Sequence, residues 1–280
     1  MKIAVLGLGR MGQAIAYRLA EGGHDLTVWN RSPGKAGELV KAGATEAGSP
    51  EEAMAPAEVV LTSLSNDEAV RDIAVGPKGI RSGIGSRAYV DASTVSPALS
   101  AELSREFARF VAMPVLGAPQ AVQSGQATYL AGGDQGSIDS IQPLLDSLGG
   151  QVKRYARAEL ASAGKLAVNL MLLTGVATLA EALAVGRAGG LSDDELADLI
   201  GHSPMLAPGL QNRFEGVLKG GGQTWWTTTL GAKDAGLAVA TAESAGKKLR
   251  LGPTVRDIYL AAAEAGFDQD DLVAVARLYQ

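Results

Sequence analysis

The sequence predicts an α/β chain, with a parallel-sheet domain over residues 1–158 followed by an all-helical domain over residues 159–280. Three observations lead there. Short apolar runs alternate with helical patterns through the first half, a glycine-rich turn follows the first apolar run, and strand signals stop after about Glu159. A length of 280 residues suffices for roughly two domains at about 150 residues each.

Lys2–Leu6, Leu26–Trp29, Val59–Ser63 and Ala88–Asp91 are brief, rich in Val, Ile or Leu, and bounded by turn residues, so they read as buried strands. Between and after them Met11–Glu21, Pro33–Ala42, Asp67–Val75 and Ser96–Phe110 carry helical periodicity. Strands alternating with helices of this length imply βαβ units and a parallel sheet covered on both faces. Phe110–Met113, Ala127–Ala131 and Lys153–Tyr155 extend the sheet, with one helix over about Ser137–Ser147. Leu160–Gly189 is then a long helical pattern, apolar almost all round, which predicts a helix covered on both sides. Ser192-Asp193-Asp194-Glu195 reads as a helix start, a Ser cap with acids in the first turn. Further helices are expected at Leu230–Ala245, Pro253–Ala265 and Asp270–Leu278.

Composition narrows the function classes. Hydrophobic residues at 46% and charged residues at 20% describe a packed chain rather than a disordered one. Cysteine is absent, which removes disulfides, zinc–thiolate sites, iron–sulfur clusters and cysteine nucleophiles. His24 and His202 are the only histidines, so no metal site is expected. A net charge of −5 argues against nucleic-acid binding, which needs a basic surface. The apolar start is cut by Arg10, and Leu166–Val185 carries Glu181, costly inside a bilayer. A cytoplasmic protein without a membrane segment is the expectation.

Gly7-Leu8-Gly9-Arg10-Met11-Gly12 is a G-x-G-x-x-G placed after a predicted strand and opening a predicted helix. In that context it predicts a Rossmann dinucleotide-binding domain. The glycines permit a tight turn and close backbone approach, and the helix N-terminus offers amides and partial positive charge to a pyrophosphate. At the end of the second strand, Asn30-Arg31-Ser32 lacks the acid that usually binds a ribose 2′-hydroxyl. A guanidinium and a hydroxyl suit a 2′-phosphate instead, so the reading is NADP(H). An ordinary solvated Arg31 is the alternative.

Asp91-Ala92-Ser93-Thr94-Val95-Ser96-Pro97 lies past a strand's carboxyl end, the edge where open α/β sheets bind ligands. Ser93 and Thr94 are candidate contacts to a nicotinamide carboxamide or a substrate carboxylate, while Ser96-Pro97 reads as a helix cap. Lys165 and Asn169 stand four residues apart on one helix face. A Lys in so apolar a helix is costly unless it meets a ligand or partner, and burial would lower its pKa from about 10.4 towards acid–base work. A snorkelling Lys is the other reading. Lys233-Asp234 opens a later helix, where the dipole favours Asp234 and leaves Lys233 in need of another role. Trp225 and Trp226 read first as core, with Trp226 kept as a candidate substrate contact.

Together these motifs resemble the β-hydroxyacid dehydrogenase family over nearly the whole chain. The resemblance rests on Gly7-x-Gly9-x-x-Gly12, Asp91-x-Ser93-Thr94-x-x-Pro97, Gly164-Lys165-Leu166-Ala167-Val168-Asn169 and Lys233-Asp234 followed by helix. It implies that Lys165 is the catalytic acid–base and that Asn169 orients substrate or lysine. It also implies that Lys233, Ser93-Thr94 and Leu64-Ser65 lie along cofactor and substrate, and that the helices assemble a homodimer or homotetramer. Two positions depart from the family pattern. Leu116 stands where a serine helps hold a substrate carboxylate, leaving the Gly117 amide, and Glu159-Leu160-Ala161 replaces a Gly-x-Gly before the lysine. The implied activity is NADPH-dependent hydride transfer to a small aldehyde or keto acid, such as glyoxylate or succinic semialdehyde. The alternatives are an imine reductase, a non-catalytic cofactor-binding module and, least favoured by the acidic balance, a chromatin or DNA reader.

Overall fold

The computed structural model describes residues 1–280, and they form two compact units, Met1–Lys165 and Leu166–Gln280. The first unit holds strands β1 (Lys2–Leu6), β2 (Asp25–Trp29), β3 (Thr45–Glu46), β4 (Val59–Thr62), β5 (Ala88–Asp91), β6 (Phe110–Ala112), β7 (Val115–Leu116), β8 (Thr128–Gly132) and β9 (Gln151–Tyr155). Its helices are α1 (Arg10–Glu21), α2 (Gly37–Lys41), α3 (Pro50–Met54), α4 (Asp67–Val75), α5 (Pro97–Glu106), α6 (Pro119–Gln123), α7 (Gln135–Ser140) and α8 (Gln142–Leu148).

Six strands run parallel in the order β3-β2-β1-β4-β5-β6. The order reverses between β1 and β4, which opens a crevice outside their carboxyl ends. Alternation along each strand fills both faces. Ile3 and Val5 join one buried cluster, Ala4 and Leu6 the other. The extension beyond β6 is mixed rather than parallel, because β8 runs antiparallel to β6 and β7 while β9 returns parallel to β8. The helix expected over about Ser137–Ser147 is two, broken at Ile141, since Pro143 can open α8 but cannot continue α7. The helix expected over Ser96–Phe110 ends at Glu106, where Phe107 turns extended and Phe110 starts β6.

α9 (Ala158–Ala188) begins in the first unit, where Ala158 and Ala161 join the second buried cluster and Ser162 Oγ lies 2.7 Å from Ser100 Oγ. It is long and apolar enough to cross a membrane by length and composition alone. In the second unit Leu173, Val176, Leu179 and Leu183 pack a helical core instead. The expectation of cover on both sides is corrected here: Val168 is 44% exposed, Met171 77% and Val185 73%. The unit continues with α10 (Asp193–Gly201), α11 (Pro208–Lys219), α12 (Thr228–Ser244) and α13 (Leu251–Ala262). Ser192 and Glu195 form a reciprocal capping box before α10. The chain ends in a 3₁₀ helix, Leu272–Tyr279, where an α-helix was expected.

Candidate active site

At the carboxyl edge of the first unit, three loops meet. Gly7 has φ 101, and a Cβ there would lie 2.4 Å from the Ser63 carbonyl oxygen and 2.7 Å from Leu64 Cδ2. Only glycine permits that approach of the β1 and β4 loops. A Cβ on Gly12 would lie 2.0 Å from the Gly7 carbonyl oxygen, so the third glycine closes the turn on itself. Gly9, by contrast, faces open space and precedes α1 without a side-chain cap. The Leu8 side chain is buried, and Met11 packs at the edge of the same cluster, while Arg10 is exposed.

Asn30 is spent inside the protein. Its Oδ1 accepts from the Leu8 amide at 2.9 Å and its Nδ2 donates to the Ser32 carbonyl at 2.8 Å. The side chain therefore fastens the turn after β2 to the glycine loop, while Arg31 and Ser32 are exposed. Ser93 is similarly engaged: Oγ donates to Asp91 Oδ1 at 2.6 Å and accepts from the Leu64 amide at 2.9 Å. Its hydroxyl is buried and joins two loops, whereas Thr94 is half-buried and Ser65 exposed. Ser96 caps α5 by accepting from the Leu99 amide at 3.1 Å, with Pro97 at the first turn, and donates to Asp67 of α4.

Lys165, three residues after Ser162 on α9, donates from Nζ to the Val115 carbonyl at 2.7 Å. β7 thus lies against the ammonium, and the half-buried Leu116 and exposed Gly117 (φ 140) follow at once.

In the helical unit, Asn169 is 4% exposed and its Nδ2 donates to Asp234 Oδ2 at 2.8 Å. Lys233 Nζ lies 2.7 Å from Asp234 Oδ1. A carboxylate only accepts, so Asn169 must turn its NH₂ towards Asp234 and its Oδ1 away. The sequence marks Asp234 only as a partner of the helix dipole. Its position beside a candidate lysine at a helix start was the available signal for more. Trp226 packs against the helical core, and its amide and that of Trp225 donate to Asp271 Oδ2 at 3.0 and 2.7 Å. Asp271 Oδ1 accepts from Arg213 at 2.6 Å, so a buried ion pair fixes the tryptophan loop.

The profile described as the NAD binding domain of 6-phosphogluconate dehydrogenase matches residues 2–156, and the one described as NAD-binding of NADP-dependent 3-hydroxyisobutyrate dehydrogenase matches residues 160–279. The chain belongs to the β-hydroxyacid dehydrogenase family. It is 30% identical to glyoxylate/succinic semialdehyde reductase 2 of Arabidopsis thaliana, over 98% of this chain and 78% of that protein. It is 31% identical to the oxidoreductase YfjR of Bacillus subtilis over 99% of each chain. It is 28% identical to the nuclear factor N-PAC of Homo sapiens, but spans only 51% of that longer protein. Among solved structures, 3-hydroxyisobutyrate dehydrogenase of Mycobacterium tuberculosis superposes with a TM-score of 0.82 at 25% identity, covering 100% of this chain and 99% of the other.

As a β-hydroxyacid dehydrogenase, this chain is an NAD(P)-dependent oxidoreductase of small molecules. Its residues fit a dinucleotide. The space over Gly9, the uncapped start of α1 and the lack of an acid in that helix's first turn leave amides and positive dipole for a pyrophosphate.

Proposed function

We propose that this β-hydroxyacid dehydrogenase is an NADPH-dependent reductase of a small aldehyde or keto acid, with Lys165 as its acid–base. The observation that carries the reading is the 2.7 Å hydrogen bond from Lys165 Nζ to the Val115 carbonyl, which gives a partly buried ammonium a direction. When bound, the nicotinamide exchanges a hydride with the carbonyl carbon. Lys165 then supplies a proton from Nζ to the oxygen as it becomes a hydroxyl, and takes that proton back in the reverse direction. Asn169 presents its Oδ1 as an acceptor, with Asp234 holding its amide group. The Gly117 amide is the remaining polar group offered by the β7 turn to a substrate carboxylate.

NADPH is favoured because Asn30-Arg31-Ser32 carries no acid and Asn30 is committed elsewhere, leaving a guanidinium and a hydroxyl for the 2′-phosphate. A homo-oligomer is favoured by the apolar stripe Val168, Met171 and Val185 on α9, which a second copy would cover. Leu116 supports a second reading, imine reduction, since an apolar side chain beside Lys165 replaces a hydroxyl that would hold an acid.

The test is a panel of glyoxylate, succinic semialdehyde, related keto acids and cyclic imines, followed by NADPH absorbance and repeated with NADH. Turnover of a carbonyl acid supports the first reading, and imines alone the second. Absence of turnover across the panel would leave a cofactor-binding module.

A further inference from the structure

One buried group at the cofactor edge has no role in the chemistry above. Asp91 ends β5, is 1% exposed, and receives three donors on Oδ1: Thr62 Oγ1 at 2.8 Å, Ser93 Oγ at 2.6 Å and the Ser93 amide at 3.2 Å. The proton directions follow. Because the Thr62 hydroxyl donates to Asp91, the Tyr89 hydroxyl 3.1 Å away must donate to Thr62. Because the Ser93 hydroxyl donates to Asp91, its oxygen is free to accept from the Leu64 amide. Asp91 Oδ2 is buried without a hydrogen-bond partner.

The consequence lies at the loops. Ser93 belongs to the turn after β5 and Leu64 to the turn after β4, and Leu64 Cδ2 with the Ser63 carbonyl packs against Gly7. A line of contacts therefore runs from Asp91 through Ser93 and Leu64 to the pyrophosphate turn. We infer that Asp91 is a positioning residue for the dinucleotide, holding the β4 and β5 turns at the spacing the cofactor needs without touching it. The inference rests on the reading that the nicotinamide cofactor lies along these turns.

A buried carboxyl can act this way without a cationic partner. Burial pushes Asp91 above the usual carboxylate range, against the hydroxyl and amide donors that favour its charged form, and a proton on Oδ2 would leave Oδ1 as the acceptor that all three donors use. An amide can reproduce that acceptor. Thr62, by contrast, stabilises the carboxyl from the strand side and holds no turn.

The experiment measures NADPH dissociation constants by nucleotide fluorescence on the intact chain, alongside urea unfolding. Asp91→Ala and Ser93→Ala should each weaken NADPH about tenfold, and the double variant should be no weaker than either single one, since both remove the same hold on Leu64. The loss should appear in Kd and in KM for NADPH more than in kcat. Asp91→Asn should stay within about threefold of wild type. Thr62→Val should lower the unfolding midpoint yet leave the NADPH constant near wild type, which a merely structural network would not do. Wild-type affinity in Ser93→Ala, or additive losses in the double variant, would overturn the inference. Should Asp91→Ala not fold, Ser93→Ala against Thr62→Val still decides it. Failure of the wild-type chain to bind either nicotinamide nucleotide would instead strike the cofactor reading.

Discussion

Lys165 and Asp91 show how one side chain acquires a task from its surroundings. The Val115 carbonyl directs the Lys165 ammonium, so Lys165→Met should cut turnover by about 10²- to 10⁴-fold while NADPH still binds, measured by steady-state kinetics and nucleotide titration. Normal turnover in that variant would remove the proton donor from the scheme. Asp91 also makes a prediction about pH. Its carboxyl titrates above the ordinary 3.8 because burial disfavours the charge, so the folded state binds its proton more tightly than the unfolded chain. Its contribution to stability is therefore full below 3.8 and is lost as pH rises through the raised folded value. Unfolding free energies of Asp91→Asn should lack this decline, so the variant gains on wild type as pH climbs from about 4 towards 7. Parallel pH profiles for the two proteins would place the Asp91 proton elsewhere.

Elements decide what those residues can reach. The turn after β2 is fastened to the glycine loop by Asn30, which leaves Arg31 and Ser32 exposed, and these are the residues we propose to choose the nucleotide. Asn30→Asp would keep the bond from the Leu8 amide, lose the bond to the Ser32 carbonyl, and place a charge against a 2′-phosphate. Combined with Arg31→Gln it should lower the NADPH-to-NADH ratio of kcat/KM by about tenfold or more, and an unchanged ratio would mean the phosphate lies elsewhere. On α9 the same logic works through exposure. A helix interior this apolar normally finds cover, and Met171 at 77% exposure has none in a single chain. Met171→Glu should shift the protein from a larger assembly to monomer in light scattering, with folded-state circular dichroism retained. A monomeric wild type would refute the role of that stripe.

Across the whole molecule, each unit carries its own core and its own polar fastening. In the helical unit the Arg213–Asp271 pair ties α11, the Trp225–Trp226 loop and the terminal 3₁₀ helix through one carboxylate. Breaking a buried pair leaves its partner uncompensated, so Arg213→Met should cost about 3–5 kcal/mol of stability in urea unfolding. A loss below about 1 kcal/mol would show the carboxylate satisfied by the backbone amides alone.

Much of this protein was legible from neighbouring residues. Apolar runs such as Lys2–Leu6 and Ala88–Asp91 marked strands, the spacing Gly7-x-Gly9-x-x-Gly12 marked the turn, and Ser192 to Glu195 marked a helix start, because periodicity and capping act within a few residues. The antiparallel β8, the helix α11 with Arg213 on its buried side, and the uncovered stripe of α9 were not legible, since each depends on which surface meets which. The roles of Asp91, Asp234 and Asp271 were hidden for the same reason. Asp91 connects to Leu64 through the Ser93 hydroxyl, Asp234 meets Asn169 from 65 residues away, and Asp271 meets Arg213 from 58. Element types, the dinucleotide turn and the chemical groups available are all set by residues close together along the chain. Which of those groups are spent on one another is set by folding alone, because a hydrogen bond is chosen by distance in space and not along the chain.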